Sequence, residues 1–220
     1  MKNIPRIFVG DNVESGMIIP IDKSVAHYLT HVMRTSDFLA FGGGQEFHAT
    51  VSEDGKSGII GAKTEHTDPS NDITLYFSPI KHTDDLINMA TQMGVKNIVP
   101  VITERTVAHH INWERMRKIA REAAEQSNRN SVPNISEPIS FSKLNLKNLC
   151  FADERFPYGD KSQNNLCLSK NIKSVLVGPE GGFSESEFAT LDAAGVIPIS
   201  LGKTILRAEL AAAIAIGKLI

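Results

Sequence analysis

Two glycine-containing segments hold the residue types best suited to chemistry in this chain. The first, at positions 176–183, reads LVGPEGGF, and the second, at positions 200–211, reads SLGKTILRAELA. Each begins at the end of a short apolar run and leads into a helix-like stretch, which is typical of loops that follow strands in an α/β sheet. Two such loops on neighbouring strands form a ligand crevice, and glycine lets main-chain atoms approach the ligand because it lacks a Cβ atom.

Neither segment is a common phosphate-binding motif. The ending Gly202-Lys203-Thr204 is that of a P-loop, but the first glycine of G-x-x-x-x-G-K-[ST] would fall at position 197, which is Ile197. No G-x-G-x-x-G follows a predicted strand, so the dinucleotide fingerprint is missing from the sequence as well. Considered alone, a G-P-E-G-G turn is also compatible with an ordinary connection between a strand and a helix.

In combination, the two segments resemble the cofactor loops of the RsmE family, the ribosomal RNA uracil-N3 methyltransferases of the knotted SPOUT class. The pattern of that family is a G-P-E-G-G loop followed by L-G-x-x-I-L-R-x-E, and both parts are nearly whole here. Further blocks agree, in order, along nearly the whole chain. They are His27-Tyr28-Leu29 with Val32-Met33-Arg34, Met93-Gly94-Val95 with Ile98-Val99-Pro100, Arg105-Thr106-Val107 followed by Trp113, and residues 122–129 with Val132-Pro133.

The resemblance implies S-adenosyl-L-methionine as the cofactor, held between the loops mainly by backbone groups. Small or apolar residues suit that role because they leave N–H and C=O groups accessible. A pocket that holds the methyl group and its acceptor in line can supply a large part of the rate enhancement. The implied cofactor-binding residues are Leu176, Gly178, Pro179, Glu180, Gly181, Gly182, Leu201, Gly202, Ile205 and Leu206.

Two charged residues near the end of the second segment are candidates for catalysis. Uracil N3 is a poor nucleophile while protonated, so the site must favour the uracil anion. Arg207 comes just before the last predicted helix, where its guanidinium could stabilise the uracil oxygens as charge develops. Glu209 is the best nearby carboxylate for removing the proton, provided that its pKa is raised. The alternative for both residues is that they only cap and brace the start of a helix.

The resemblance also implies an RNA partner, namely 16S ribosomal RNA or the assembled small ribosomal subunit. The predicted RNA-binding residues are Arg6, Arg34 and Arg129. The formal net charge of −2 gives no global sign of nucleic-acid binding, so these contacts would form a local basic face. The resemblance further implies a homodimer formed through the SPOUT domain.

The chain departs from the RsmE pattern at four positions. Met89 and Gln92 stand where the family usually has Lys and Glu, and Ala208 and Leu210 flank Glu209 where the family usually has threonine. One alternative is therefore a knotted 2′-O-ribose RNA methyltransferase, although that class should carry an N-V-S-type final motif in place of R-A-E. The other alternative is a non-catalytic protein that binds RNA or the ribosome.

The elements around these segments predict an α/β fold with two domains. Short strand candidates and glycine turns precede a polar, proline-containing linker at 64–71, which indicates a small barrel with one helix. Beyond the linker, strands alternate with helices, which predicts a mostly parallel sheet covered on both faces. The resemblance implies that residues 1–68 form a PUA-like β-barrel that binds RNA and that residues 72–220 form a SPOUT methyltransferase domain with a C-terminal trefoil knot.

Four helices have clear sequence signals. Ser24 is a candidate cap for a helix that runs to about Met33, and Asn112 for an amphipathic helix that runs to about Ser127. The capping box at 184–187 opens a helix that stops at Gly195. The last helix, at 208–219, is apolar nearly all round, so we expect it to be buried within the monomer or against a second subunit.

The remaining composition predicts a cytoplasmic protein that neither spans a membrane nor binds a metal. Cys150 and Cys167 form no C-x-x-C motif and are expected to be idle thiols in a reducing compartment. The N-terminus has no signal-peptide pattern, and the apolar tail is far shorter than the ~20 residues that span a bilayer. His27 and His31 have helical spacing and His109 and His110 are adjacent, but no cluster of Cys or Asp completes a metal site.

Overall fold

A computed structural model of the chain describes residues 4–69, 72–107, 111–155 and 172–220. Two compact units are present, one of Met1–Ser70 with Arg121–Val132 and one of Asn71–Ala120 with Pro133–Ile220. Cys167, His109 and His110 lie outside the described residues, so the structure does not test the predictions made for them. None of the described helices has the length and apolar character needed to cross a membrane.

The first unit is built on a five-stranded sheet. The strands lie in the order β1-β3-β4-β5-β2, with β1 parallel to β3 and the other pairs antiparallel. Its core holds Leu29, Phe38, Phe47 and Ile60. Within the described part of the chain no pairing joins β1 to β2, so the sheet has two edges. The strands are β1 (Arg6–Phe8), β2 (Ile18–Pro20), β3 (Asp37–Gly42), β4 (Gln45–Val51) and β5 (Ser57–Lys63).

The first helix of the chain begins at a different residue from the one predicted, and its second half is not α-helical. Helix α1 (Lys23–His27) begins after Asp22, so Ser24 lies inside the first turn and does not cap it. The chain then continues as a π-helix, Tyr28–Met33, and ends at Arg34 with φ of 54°. The hydroxyl of Thr30 donates to the carbonyl oxygen of Ala26 at 2.8 Å, a local bond that competes with regular helical pairing.

The second unit contains the predicted parallel sheet. Strands β6 (Thr74–Phe77), β7 (Asn97–Ile102), β8 (Asn134–Ile135), β10 (Leu149–Ala152), β11 (Ser174–Val177) and β12 (Ile197–Ile199) lie in the order β12-β10-β11-β6-β7-β8, all parallel. A further short strand, β9 (Ile139–Ser140), pairs with the end of β7. The sequence shows no strand pattern at β8 or β9, since both are only two residues long.

Three helices of the second unit connect these strands, and a fourth follows the last strand. They are α2 (Thr83–Gln92), α3 (Trp113–Gln126), α4 (Glu185–Ala193) and α5 (Ala208–Gly217), and the last residues of α3 belong to the first unit. The capping box of α4 is confirmed, because Ser184 Oγ accepts from Glu187 N while Glu187 Oε2 accepts from Ser184 N. Helix α5 packs against α2, β6 and β11, and this fixes the residues that precede it.

Candidate active site

The carboxyl ends of three neighbouring strands meet at one edge of the parallel sheet. After β11 the chain forms the glycine loop (residues 178–184), after β12 the second loop (residues 200–207), and after β10 the acidic turn (residues 153–155). Residues from all three segments line a cleft of about 410 Å³, within the usual range for small-molecule sites. Neighbouring carboxyl ends are where ligands bind in open parallel sheets.

Most of the residues predicted to bind cofactor line this cleft. Leu176, Gly181 and Gly182 are absent from its lining, and Leu176 is instead fully buried beside Phe151 and Phe183. The predicted residues in the lining are Gly178, Pro179, Glu180, Leu201, Gly202, Ile205 and Leu206, together with Arg207 and Glu209.

Two positions of the glycine loop must be glycine because neighbouring atoms leave no space for a side chain. A Cβ atom on Gly178 would lie 3.0 Å from the ring of Phe183, which is buried and packs edge-on against Phe151 and Phe188. Gly182 has φ of +68°, and its Cβ would lie 1.8 Å from Oε1 of Glu154. The loop therefore passes too close to its neighbours for side chains at these points.

Replacing Gly182 with alanine should both strain the loop and displace the Glu154 carboxylate. Gly195 is the matched control, because its φ is +65° but nothing lies within 4 Å of its added Cβ. We expect each variant to lose about 1 kcal/mol of unfolding free energy from the backbone conformation, and only Gly182→Ala to weaken cofactor binding. Denaturant unfolding and calorimetric titration measure the two effects. Equal binding by both variants would contradict the packing of Glu154 on this loop.

The glycine loop is braced from the end of β7. The Arg105 guanidinium donates to the carbonyl oxygen of Gly181 at 3.0 Å. The Glu104 backbone N–H donates to Oε1 of Glu187, whose other carboxylate oxygen serves the α4 capping box. These contacts hold the middle of the loop and the first turn of α4, and neither Gly181 nor Glu187 lines the cleft.

The acidic turn was missed by the sequence analysis. Its Asp153 side chain is 2% exposed and is bound by Arg155, which also binds Asp192 and lies 4.1 Å from the centre of the Phe188 ring. The hydrogen bonds that Arg155 donates to Asp192 lower the pKa of that carboxyl. The hydrogen bonds that it donates to Asp153 and Asp192 raise the pKa of Arg155 itself. The available signal was D-E-R directly after the apolar strand LCFA, at a strand end.

Glu154 also lines the cleft, but its charge is not neutralised in the same way. Partial burial, and then the like charge of Asp153, raises the pKa of its carboxyl, while Arg105 and Arg155 partly offset this. In the described part of the chain no side chain donates a hydrogen bond to this carboxylate. Burial and Asp153 thus disfavour the ionised form of this acid, and a further cation in the cleft would favour it.

Arg207 and Glu209 face the cleft from the start of α5. Arg207 is the exposed residue before the helix and its side chain forms no capping hydrogen bond, so its guanidinium does not brace the helix start. Glu209 is half-buried in the first turn, where a carboxylate also interacts favourably with the helix dipole. A second residue that the sequence analysis missed, His82, reaches the cleft from the segment after β6.

Comparison with known proteins assigns the chain to a family. Residues 67–220 match the family described as RNA methyltransferase domain. The chain is 33% identical to ribosomal RNA small subunit methyltransferase E of Rickettsia conorii over 97% of this chain and 93% of the relative. The identity to the protein of the same name from Synechocystis is 29%, over 91% and 72% of the two chains.

A solved structure agrees along the whole chain. The ribosomal RNA small subunit methyltransferase E of Neisseria gonorrhoeae, bound to S-adenosyl methionine, superposes with a TM-score of 0.82 at 26% identity and covers 98% of this chain and 96% of its own. The chain belongs to the methyltransferase E family. The RsmE resemblance of the sequence is therefore confirmed.

Of the four positions noted above as departures from the RsmE pattern, Ala208 lines the cleft. It is buried at the start of α5, whereas Leu210, two residues later in the same turn, is 45% exposed. Met89 is 36% exposed on α2, and Gln92 donates a hydrogen bond to Asn88 on the same helix. Three of the four departures therefore lie away from the cleft lining.

Two of the three predicted RNA-binding residues are largely buried and have partners within the first unit. The Arg6 side chain is 7% exposed and donates to Glu46 at 2.8 Å, and to Arg129 O and Asn130 Oδ1 at 2.9 and 2.6 Å. Arg129 is 12% exposed and lies 4.0 Å from Asp68, and burial lowers its pKa. Arg34 is exposed. The sequence shows the charges but not the internal partners that bind two of them.

Proposed function

We propose that this chain transfers a methyl group from S-adenosyl-L-methionine to N3 of a uridine in 16S ribosomal RNA. Membership of the methyltransferase E family makes it an S-adenosylmethionine-dependent methyltransferase of ribosomal RNA. The observation that carries the finer proposal is the single cleft in which the glycine loop, the second loop and the Arg207–Glu209 pair come together. That cleft offers both a cofactor pocket and groups suited to an acidic N–H nucleophile.

The cleft residues fit the cofactor. Its volume is adequate for a nucleoside-sized ligand, and Gly178 and Gly202 leave main-chain groups accessible for the adenine and ribose. Apolar side chains of Leu201, Ile205 and Leu206 offer surfaces for the ring. When bound, the cofactor supplies an electrophilic methyl group on a positively charged sulfur.

Arg207 and Glu209 provide the chemistry on the uracil. We assign Arg207 to the uracil carbonyl oxygens, where its fixed positive charge stabilises the anion that forms as N3 loses its proton. We assign Glu209 to accept that proton, since it is the carboxylate of the pair and lies two residues along the same helix start. The proximity of both groups to the cofactor pocket allows methyl and acceptor to be held in line.

The finer architecture is part of the same proposal. Residues 72–220 would form a SPOUT domain with a trefoil knot; the parallel sheet supports an α/β domain of this kind, and the knot is what the RsmE resemblance implies. Residues 1–68 would form a PUA-like barrel that docks RNA in the cytoplasm. The exposed apolar side chains of Ile205, in the cleft lining, and of Leu210, in the first turn of α5, support a homodimer through the second domain.

RNA affinity should depend on salt, because phosphate contacts release bound counterions. Arg34 is the predicted phosphate contact that the structure leaves exposed. We expect Arg34→Ala to weaken RNA binding and to reduce the slope of log K against log salt by about one. Filter binding or fluorescence anisotropy from low to high salt measures this. Lys143→Ala, an exposed cation in the second unit, is the control, and an unchanged slope for Arg34→Ala would remove Arg34 from the interface.

The reaction is tested by incubating unmodified small ribosomal subunits with labelled cofactor and locating the product by mass spectrometry. The proposal predicts one methyl group on N3 of a uridine. Methyl on a ribose 2′ oxygen would favour the other knotted class. Cofactor and RNA binding without any transfer would favour a non-catalytic RNA-binding protein.

A further inference from the structure

We infer that Glu154 recognises the positive charge of the cofactor and makes the cleft favour the sulfonium over the neutral, demethylated product. This inference rests on the proposed function, because it concerns the same cleft. It extends that proposal by assigning charge selectivity to a side chain outside both glycine-containing segments.

The position of Glu154 is the first argument. It follows β10, the strand that lies between β11 and β12, so it enters the cleft between the glycine loop and the second loop. Its carboxylate rests directly on Gly182, in space that any Cβ atom there would take. Gly182 does not itself line the cleft, so the missing side chain there makes space for the Glu154 carboxylate beside the glycine loop.

The charges around the cleft are the second argument. Asp153 is held by Arg155 at 2.7 Å, and Arg155 is shared with Asp192 at 3.0 Å, so both aspartates have a cationic partner. Among the described residues Glu154 forms no ion pair, and the charges of Arg105 and Arg155 offset its raised pKa only in part. Arg105 uses its Nη1 to bind Gly181 O.

The stability cost of Glu154 is the third argument. Burial and the adjacent Asp153 both raise the pKa of its carboxyl, which means that the ionised form is less stable here than in water. A bound cation reverses that penalty, because an opposite charge favours the ionised carboxylate.

Arg207 provides the complementary charge. It lines the same cleft and is assigned to the uracil anion. With a carboxylate for the cofactor and a guanidinium for the base, the cleft binds reactants of opposite charge. After transfer both charges are gone, so both products lose an electrostatic interaction that the reactants had.

The test is a calorimetric titration of wild type, Glu154→Gln and Glu137→Gln with three ligands: S-adenosylmethionine, S-adenosylhomocysteine, and an analogue with a protonated amine in place of the sulfonium. Glu137 is exposed in the same unit and does not line the cleft. We expect Glu154→Gln to weaken binding of both cationic ligands about tenfold, equivalent to ~1.4 kcal/mol, and that of the neutral product less than twofold. Glu137→Gln should match wild type.

Thermal unfolding of the same variants separates this role from a structural one. Glu154→Gln should unfold at the wild-type temperature or above, since it removes a carboxylate that the fold disfavours. Equal weakening of all three ligands, a lower unfolding temperature, or an unchanged preference for the cationic ligands would overturn the inference. If wild type itself binds no S-adenosylmethionine, the proposed function fails instead.

Discussion

Arg207→Ala is expected to reduce methylation of the small ribosomal subunit by about 10²–10³-fold while cofactor affinity changes by less than a factor of two. The guanidinium lines the cleft but forms no capping hydrogen bond to α5, so its removal leaves the helix start intact. A preorganised cation at a developing negative charge typically contributes an effect of this size to the reaction rate. Single-turnover methylation and calorimetric cofactor titration measure the two quantities.

Lys203→Ala is the matched control for this result. It removes a positive charge from the same loop, but Lys203 does not line the cleft. Its methylation rate should fall less than tenfold. Turnover of Arg207→Ala at the wild-type rate would refute the catalytic assignment, and loss of activity with an equally large loss of cofactor affinity would move Arg207 to cofactor binding.

Arg6→Ala is expected to destabilise the first unit by about 3–5 kcal/mol. Removing the guanidinium leaves the Glu46 carboxylate, 5% exposed, without its ion-pair partner at 2.8 Å. Asn130 loses a donor at 2.6 Å, and the carbonyl oxygen of Arg129 loses one at 2.9 Å. Urea unfolding followed by circular dichroism, with hydrogen exchange of the β3 and β4 amides, measures the loss.

Two further variants separate this effect from the loss of any positive charge. Arg34→Ala removes an exposed arginine of the same unit and should change the unfolding free energy by less than about 0.5 kcal/mol. Replacing both Arg6 and Glu46 with methionine removes the buried pair together and should recover much of the lost stability. If Arg6→Ala behaves like Arg34→Ala, the internal role of Arg6 is wrong.

Local signals predicted the second unit well. The alternation of strands and helices is present as predicted, and Gly195 follows the end of α4 as expected. These features depend on residues adjacent in sequence, such as the capping box and the helix-stopping glycine. The π-helical turn at Tyr28–Met33 could not be foreseen in the same way, because its apolar residues also satisfy an ordinary helical pattern.

The candidate site was predictable only where a motif marked it. The glycine loop and the second loop were identified from their residues, and the structure brings them together in one cleft. Glu154 was missed because its role depends on β10 lying between β11 and β12, which the sequence does not state. The internal hydrogen bonds of Arg6 are equally hard to foresee, because its partners Glu46 and Asn130 are 40 and 124 residues away along the chain.

Hydrogen exchange with and without S-adenosylmethionine tests the central claim most directly, because it locates the cofactor on the chain. We predict slower exchange in the glycine loop and the second loop, with a smaller change in the acidic turn and none in β3 or β4. Binding that leaves both loops unprotected, or that protects the first unit instead, would contradict a cofactor site at the ends of β10, β11 and β12.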